Sequence, residues 1–271
     1  MWKRFDPSRP LAVIVGAVVA GMLAGFVASV LLSFTAEPVI DQAIALEEAR
    51  HAAEPHAPGA PEEPEVVARG DQKGVGRFAA YSFGGGAYGV LFGITFLALR
   101  RRDGKTSPAD AFRRSLLAGA FMAGAFTVMP FLKYPPNPPA VGDPATISER
   151  QWKYLALIFL SVVVFALAAR LSSHLRDRGW TGDERLIAVA LAIAVPLGIV
   201  LAALPPYHDP IEAPANLVWR FRIASLGGNL LLWSVLTMTF GAVAVRRERE
   251  LSGAVAGMPA GEAVLRPATT T

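Results

Sequence analysis

The chain has 271 residues, of which 53% are hydrophobic and only 18% charged, and its mean hydropathy is +0.40. A soluble domain carries about a quarter of its residues as charges, so an ordinary water-soluble enzyme is disfavoured. There is no cysteine, which excludes disulfides, thiolate zinc sites, iron–sulfur clusters and cysteine nucleophiles. Four histidines leave little material for an all-imidazole metal site. The net charge of +4 would fit a nucleic-acid binder only if the cations clustered among aromatic residues, and they do not.

Six stretches lack Asp, Glu, Lys and Arg: Pro10–Ala36, Phe78–Leu99, Ser115–Leu132, Tyr154–Ala169, Leu186–Tyr207 and Ile223–Val245. A spanning helix needs roughly 20 apolar residues, within a range of about 17–25. Five stretches meet this alone. The fourth reaches it when Trp152, Lys153 and Leu171 sit in the membrane interfaces. Lipid offers backbone amides no partner, so each run is expected to be an α-helix. The expected fold is an all-α integral membrane bundle of six helices in three hairpins. The first run follows Lys3 and Arg4 as a signal peptide would, and Ser33-Phe34-Thr35-Ala36 is a small-residue end. It is, however, nearly twice the length of a signal core, so a retained first helix is favoured over a cleaved leader.

The loops set the expected orientation. Residues before the first span, the 100–114 and 170–185 loops and the tail after Val245 together hold 17 basic and 9 acidic residues. The other three loops, with their span ends, hold 9 basic and 13 acidic. Basic loops stay in the cytoplasm, so both termini are expected inside and a net-acidic face outside. Arg100-Arg101-Arg102 and Arg246-Arg247 are then topology anchors. In domain terms, residues 1–9 form a cytoplasmic start and 10–249 the membrane domain with its long outward loop 37–77. Residues 250–271 are expected to be a disordered tail.

Within the 37–77 loop, Pro38–Ala53 has helical composition and is expected to extend the first helix into water. The stretch from Glu54 to Glu65 is rich in Pro and Glu and cannot bury a core. The other two outward loops resemble each other. Each has a double proline (Pro135-Pro136 and Pro205-Pro206), then an Asp-Pro (Asp143-Pro144 and Asp209-Pro210), then a helix approached through a tryptophan (Trp152 and Trp219). Either a parallel repeat of hairpins or two independent stiff turns accounts for this.

Small residues recur every fourth position in the first span (Ala17, Gly21, Gly25, Ser29, Ser33), and Gly85, Gly89 and Gly93 repeat the device in the second. Close packing through small residues is how helices associate in lipid. No ionisable residue sits in the middle of a span, unlike the usual proton-coupled pump. Asn229, Ser225, Ser234 and Thr237 in the last span, with Tyr81, Tyr88 and Thr95 in the second, are the polar candidates. Of these, Tyr88, Ser225 and Asn229 are taken as passage-lining candidates, with helix–helix bonding as their commoner use. On the outward face, Glu47, His51, His56, His208 and Asp209 form a mixed imidazole and carboxylate set suited to transient contact with a divalent ion such as Co²⁺, Ni²⁺ or Zn²⁺. Chance proximity in an acidic linker is the commoner origin of such a set. Phosphate-loop, metalloprotease and serine-hydrolase signatures are absent from the sequence, so no enzymatic activity is expected.

The chain resembles the CbtA family of predicted cobalt-transporter subunits, bacterial membrane proteins associated with cobalamin metabolism. The likeness rests on the basic start before a Gly-rich first span and on Glu37-Pro38 leading into an acidic, His-containing segment. It rests further on the run from Pro130 to Pro139 with Gly142-Asp143-Pro144, on Trp219-Arg220-Phe221-Arg222 with Ala224-Ser225-Leu226-Gly227, and on Trp233. The resemblance implies a multi-pass subunit in the cytoplasmic membrane that helps bring in Co²⁺ as cargo, without a resident cofactor. It also implies a small single-span partner, CbtB, with a His-containing end. Relatives carry a denser His/Glu tract after the first span, here reduced to Glu47, Glu48, His51, Glu54 and His56. Two other readings compete: a non-transporting membrane scaffold and a carrier for a neutral solute. A polar, water-accessible cavity at Asn229 and Tyr88 separates transport from a packed scaffold.

Overall fold

The computed structural model describes residues 9–53, 68–103, 108–139, 141–142, 144–207, 211 and 213–256. All regular structure among them is helical. Six helical segments are long and apolar enough to cross a membrane: Pro10–Thr35, Arg69–Arg100, Ala109–Lys133, Ile147–Asp177, Gly182–Ala203 and Ala215–Glu250. Six crossings bring the last span back to the side on which the first begins, here the termini side. The Pro-rich loops lie on the opposite, far side.

Helix α1 (Pro10–Thr35) breaks at Ala36 and continues as α2 (Glu37–Ala53). The expected helix over 38–53 is therefore present, set off by one residue. Val39 and Ala43 of α2 pack on Leu217, against Ala213 and Phe221 at the start of the last helix. A turn, α3 (Arg69–Asp71), and a π-helical turn over Gln72–Gly76 lead into α4 (Arg77–Asp103). The buried face of α1 is Val13, Gly16, Ala17, Ala20, Gly21, Ala24, Gly25, Ala28, Ser29 and Leu32. Leu11, Leu23, Phe26 and Phe34 point outward. Small residues inward and large apolar residues outward is a lipid-solvated pattern.

The third span is continuous but irregular: α5 (Pro108–Ala123), a π-helical turn over Gly124–Val128, then α6 (Met129–Lys133). Pro130 explains the irregularity. A proline inside a helix lacks an amide and crowds the carbonyl four residues earlier, and a widened turn relieves both. α7 (Ile147–Asp177) has 31 residues, so the fourth span reaches crossing length by extending through Trp152 and Lys153 at one end and Leu171 at the other. It stops at Gly179, whose φ of +79° suits glycine in a helix-ending αL turn. The Trp180 amide donates to the Leu175 carbonyl at 3.1 Å. A capping box, with Thr181 accepting from the Glu184 amide and Glu184 accepting from the Thr181 amide at 3.0 Å, starts α8 (Gly182–Ala203).

The last helix, α9 (Ala215–Ala256), is the axle of the bundle. It packs on α1 and α5, while α4 packs on α1. The shared core holds Phe92, Phe96, Met122, Leu236 and Phe240. α8 packs on α7 and is otherwise clothed in exposed Leu186, Ile187, Leu191, Val195 and Ile199, so its surface is left to lipid. α9 runs to Ala256, beyond the boundary at 249 where a disordered tail was expected to begin; residues 257–271 lie outside the described residues, as does the Pro/Glu-rich stretch 54–65.

On the far side, ion pairs join α2 to α3, to the π-helical turn and to α4. Arg77 Nη1 lies 3.0 Å from Glu37 Oε1, and Arg69 Nη2 lies 2.8 Å from Glu37 Oε2 and 3.1 Å from Asp41 Oδ1. Lys73 Nζ lies 2.6 Å from Asp41 Oδ1. Hydrogen bonding to Lys73, with Arg69 adding to it, holds the Asp41 carboxyl below its ordinary value.

Candidate functional site

A cavity of about 1060 Å³ opens among α4, the α5–π–α6 span, α7, α9 and the two Pro-rich loops. Its floor is aromatic. Tyr88 sits 4.9 Å from Trp233 and 6.0 Å from Phe126, ring centre to ring centre. Beneath lie the buried rings of Phe92, Phe96 and Phe240, each pair with Phe240 set edge to face. The π-helical turn shapes one wall: it contributes Phe126 and Thr127, and Pro130 follows. Thr127 Oγ1 accepts a 2.9 Å hydrogen bond from the buried Trp233 indole. Thr127→Val would strand that indole N–H, at a cost of about 1–3 kcal/mol. Thermal unfolding in detergent should show a lower midpoint for this variant, while Thr127→Ser, which keeps the acceptor, should stay near the parent.

The rim is built by the proline loops. Prolines fix the backbone, and two tyrosines lock one loop to the other. Tyr134 and Tyr207 stack at 4.3 Å. The Tyr134 hydroxyl donates to the Pro205 carbonyl at 2.8 Å, and the Tyr207 hydroxyl to the Arg150 carbonyl at 2.8 Å. Lys153 Nζ rests 5.7 Å from the Tyr207 ring centre, within cation–π range. Loss of solvent around Tyr134 raises its phenol above the ordinary value, against the opposing charge of Lys153. The similar loops are thus in contact as a single rim.

Tyr88, Ser225 and Asn229 all stand on the cavity wall. Asn229 Nδ2 donates to the Ser225 carbonyl at 2.9 Å. The metal-ligand candidates are elsewhere. Glu47 is half-buried on α2 and is not part of the cavity wall. His51 falls in the last turn of α2, with its side chain outside what is described. His56, His208 and Asp209 lie outside the described residues. Among the described residues, no three His, Asp or Glu side chains come together as a metal cluster.

Sequence reasoning missed most of the wall. All five tyrosines of the chain (Tyr81, Tyr88, Tyr134, Tyr154, Tyr207) line it. So do three cations, Lys133, Arg150 and Arg222, with no carboxylate among the described lining residues. Arg222 Nη2 donates to Asn137 Oδ1 at 2.7 Å, tying α9 to the first proline loop. The available signal was the repeated loop pattern, in which a tyrosine adjoins each double proline, Tyr134 before Pro135-Pro136 and Tyr207 after Pro205-Pro206.

No curated protein and no solved structure matches the chain. A family model does: that of the probable cobalt transporter subunit CbtA, matching residues 11–245. Together with six apolar spans, a match over nearly the whole length places this membrane protein in the CbtA family, whose members are described as probable cobalt transporter subunits.

Proposed function

We propose that the chain is the membrane subunit of a cobalt-uptake system that feeds cobalamin metabolism, seated in the bacterial cytoplasmic membrane with its basic termini side inside. The observation that carries this reading is the cavity. Bilayer-spanning helices that serve only to hold a partner gain nothing from leaving polar groups such as Tyr88, Ser225 and Asn229 around a space of this size, because unfilled polar surface in a bundle is costly. Substrate sites of transporters lie between spans near the bilayer midplane. Tyr88 is eleven residues into α4, about 16 Å along a helix that rises 1.5 Å per residue.

In this reading the three residues line the passage, and the proline rim forms its far-side gate. Glu47, His51, His56, His208 and Asp209 act as transient ligands on the approach, where a net-acidic face raises the local concentration of cations. A single-span, CbtB-like subunit supplies further imidazoles. Deleting the chain is expected to lower cobalt accumulation in cobalt-limited cells, and Asn229→Ala is expected to lower it several-fold at unchanged membrane abundance. Unchanged accumulation after deletion, together with loss of the partner from the membrane, would replace the transporter with a scaffold.

A further inference from the structure

The cavity wall has the wrong chemistry for a bare metal dication. Co²⁺ is held by imidazole, carboxylate or sulfur donors, and none of these is among the described lining residues. What the wall offers is hydrogen-bond donors and positive charge. Arg222 bonds to a neutral acceptor, Asn137 Oδ1, and its Nε is sealed from water without a hydrogen-bond partner. Neither Arg222 nor Lys133 forms an ion pair with any described residue. Tyr81, Tyr88 and Tyr154 line the same space, and their hydroxyls make no hydrogen bond to a described residue.

The contrast within the molecule is informative. At the far-side junction of α1, α2 and α4, Arg69, Lys73 and Arg77 are each matched to Glu37 or Asp41. Around the cavity, Arg222 and Lys133 have no such partner among the described residues. A half-buried guanidinium costs free energy unless a counter-charge meets it, and a planar guanidinium matches a carboxylate in two-point geometry. Phenolic O–H groups donate to the same oxygens. A space of about 1060 Å³ far exceeds a single ion and is in the range of organic ligands.

We propose that this cavity binds a carboxylate-bearing anion, with Arg222 and Lys133 as its charge partners, and that cobalt occupies it as an anionic polycarboxylate chelate. The metal in this statement rests on the cobalt reading above; the anion site does not. Chelation solves the charge problem, since the carboxylates both ligate Co²⁺ and present spare oxygens to the wall.

The test is isothermal titration of the purified full chain in phosphatidylcholine nanodiscs with the 1:1 cobalt(II)–citrate complex, with citrate and with cobalt chloride. Cobalt–citrate should bind. Arg222→Gln should weaken it about tenfold or more, as expected for a lost charge-assisted hydrogen bond, and Arg222→Lys should restore part of the loss. Lys133→Gln, at the rim and without a described partner, should weaken binding in a protein whose melting temperature is unchanged. Cobalt chloride binding that Asp209→Asn abolishes and Arg222→Gln leaves intact would overturn the proposal. So would the absence of any anion binding. Nanodiscs containing phosphatidylglycerol separate the remaining source: if that lipid fully blocks cobalt–citrate, the cavity is an anionic-lipid site and the proposal fails. Chelate binding without an effect of gene deletion on cobalt uptake would leave the site standing and sink the transport reading; the reverse pattern would sink the site alone.

Discussion

Gly85→Ala is expected to destabilise the bundle severely, whereas Gly84→Ala, one residue away on the same helix, is expected to be tolerated. At Gly85 a Cβ would land on the main-chain carbonyl of Gly21 and within 3.1 Å of the Gly25 Cα. At Gly84 nothing lies within 4 Å. The obstruction at Gly85 is backbone, so no rotamer change relieves it; α1 and α4 must separate. The same holds in reverse at Gly21, which meets the Gly85 carbonyl, and at Gly25, which meets the carbonyl of Tyr81. Overpacking of a close-packed core costs roughly 1–3 kcal/mol, occasionally more, and here separation also strips dispersion contacts from a long helix pair that has no hydrophobic drive to re-form in lipid. Gly93→Ala should fall between the two, because its first obstacle is the movable Ile14 Cδ1 at 2.9 Å. Thermostability by size-exclusion in detergent should rank the melting temperatures Gly84→Ala, then Gly93→Ala, then Gly85→Ala. Equal behaviour of Gly84→Ala and Gly85→Ala would mean that α1 and α4 do not meet through this face.

That interface was legible in the sequence because its cause is local. A four-residue period of small side chains on two neighbouring spans has one efficient use in lipid, and the six spans were legible for the equally simple reason that an uncharged run of such length has nowhere else to go. The cavity was legible only in part. Tyr88, Ser225 and Asn229 drew notice as polar residues inside apolar runs. Arg222 stood in a Trp-Arg-Phe-Arg segment and was read as a mark of kinship; its bond to Asn137, 85 positions earlier, depends on how α9 meets a loop. Tyr134, 71 positions from Pro205, and Tyr207, 57 positions from Arg150, read as ordinary loop residues until the proline rims stacked. Helix partnership was hidden as well. α8 follows α7 and precedes α9, yet it packs on α7 while α9 turns to α1 and α5, and nothing in an all-apolar helix announces which face meets protein and which meets lipid. The π-helical turn had one visible trace, Pro130, but a proline says that a helix must adjust without saying how.

Arg77→Met is the second substitution expected to have a large effect, and the reason is what it leaves behind. Arg77 and Glu37 are largely buried, with 11% and 13% of their side chains exposed. The guanidinium serves three acceptors: Glu37 at 3.0 Å, Ser33 Oγ at 2.7 Å and Ser29 Oγ at 3.2 Å. It therefore closes the far end of the α1–α4 seam, where the small residues of α1 change from glycine to serine. Removing one member of a buried pair costs about 3–5 kcal/mol, because the other charge is stranded. The stranding is incomplete here, since Arg69 also reaches Glu37 at 2.8 Å, so the lower part of that range is expected. Glu37→Met removes the acceptor instead, and leaves Arg77 its two serines and Arg69 its second partner, Asp41. The double variant Arg77→Met with Glu37→Met removes both charges and puts apolar volume in their place, an exchange that is often close to neutral in buried pairs. Melting temperatures of the two single variants and the double variant form a cycle. The expected pattern is a large drop for Arg77→Met, a smaller one for Glu37→Met and substantial recovery in the double. Strict additivity of the two single effects would show that the ion pair does not hold the seam and that Arg77 acts through its serine contacts alone.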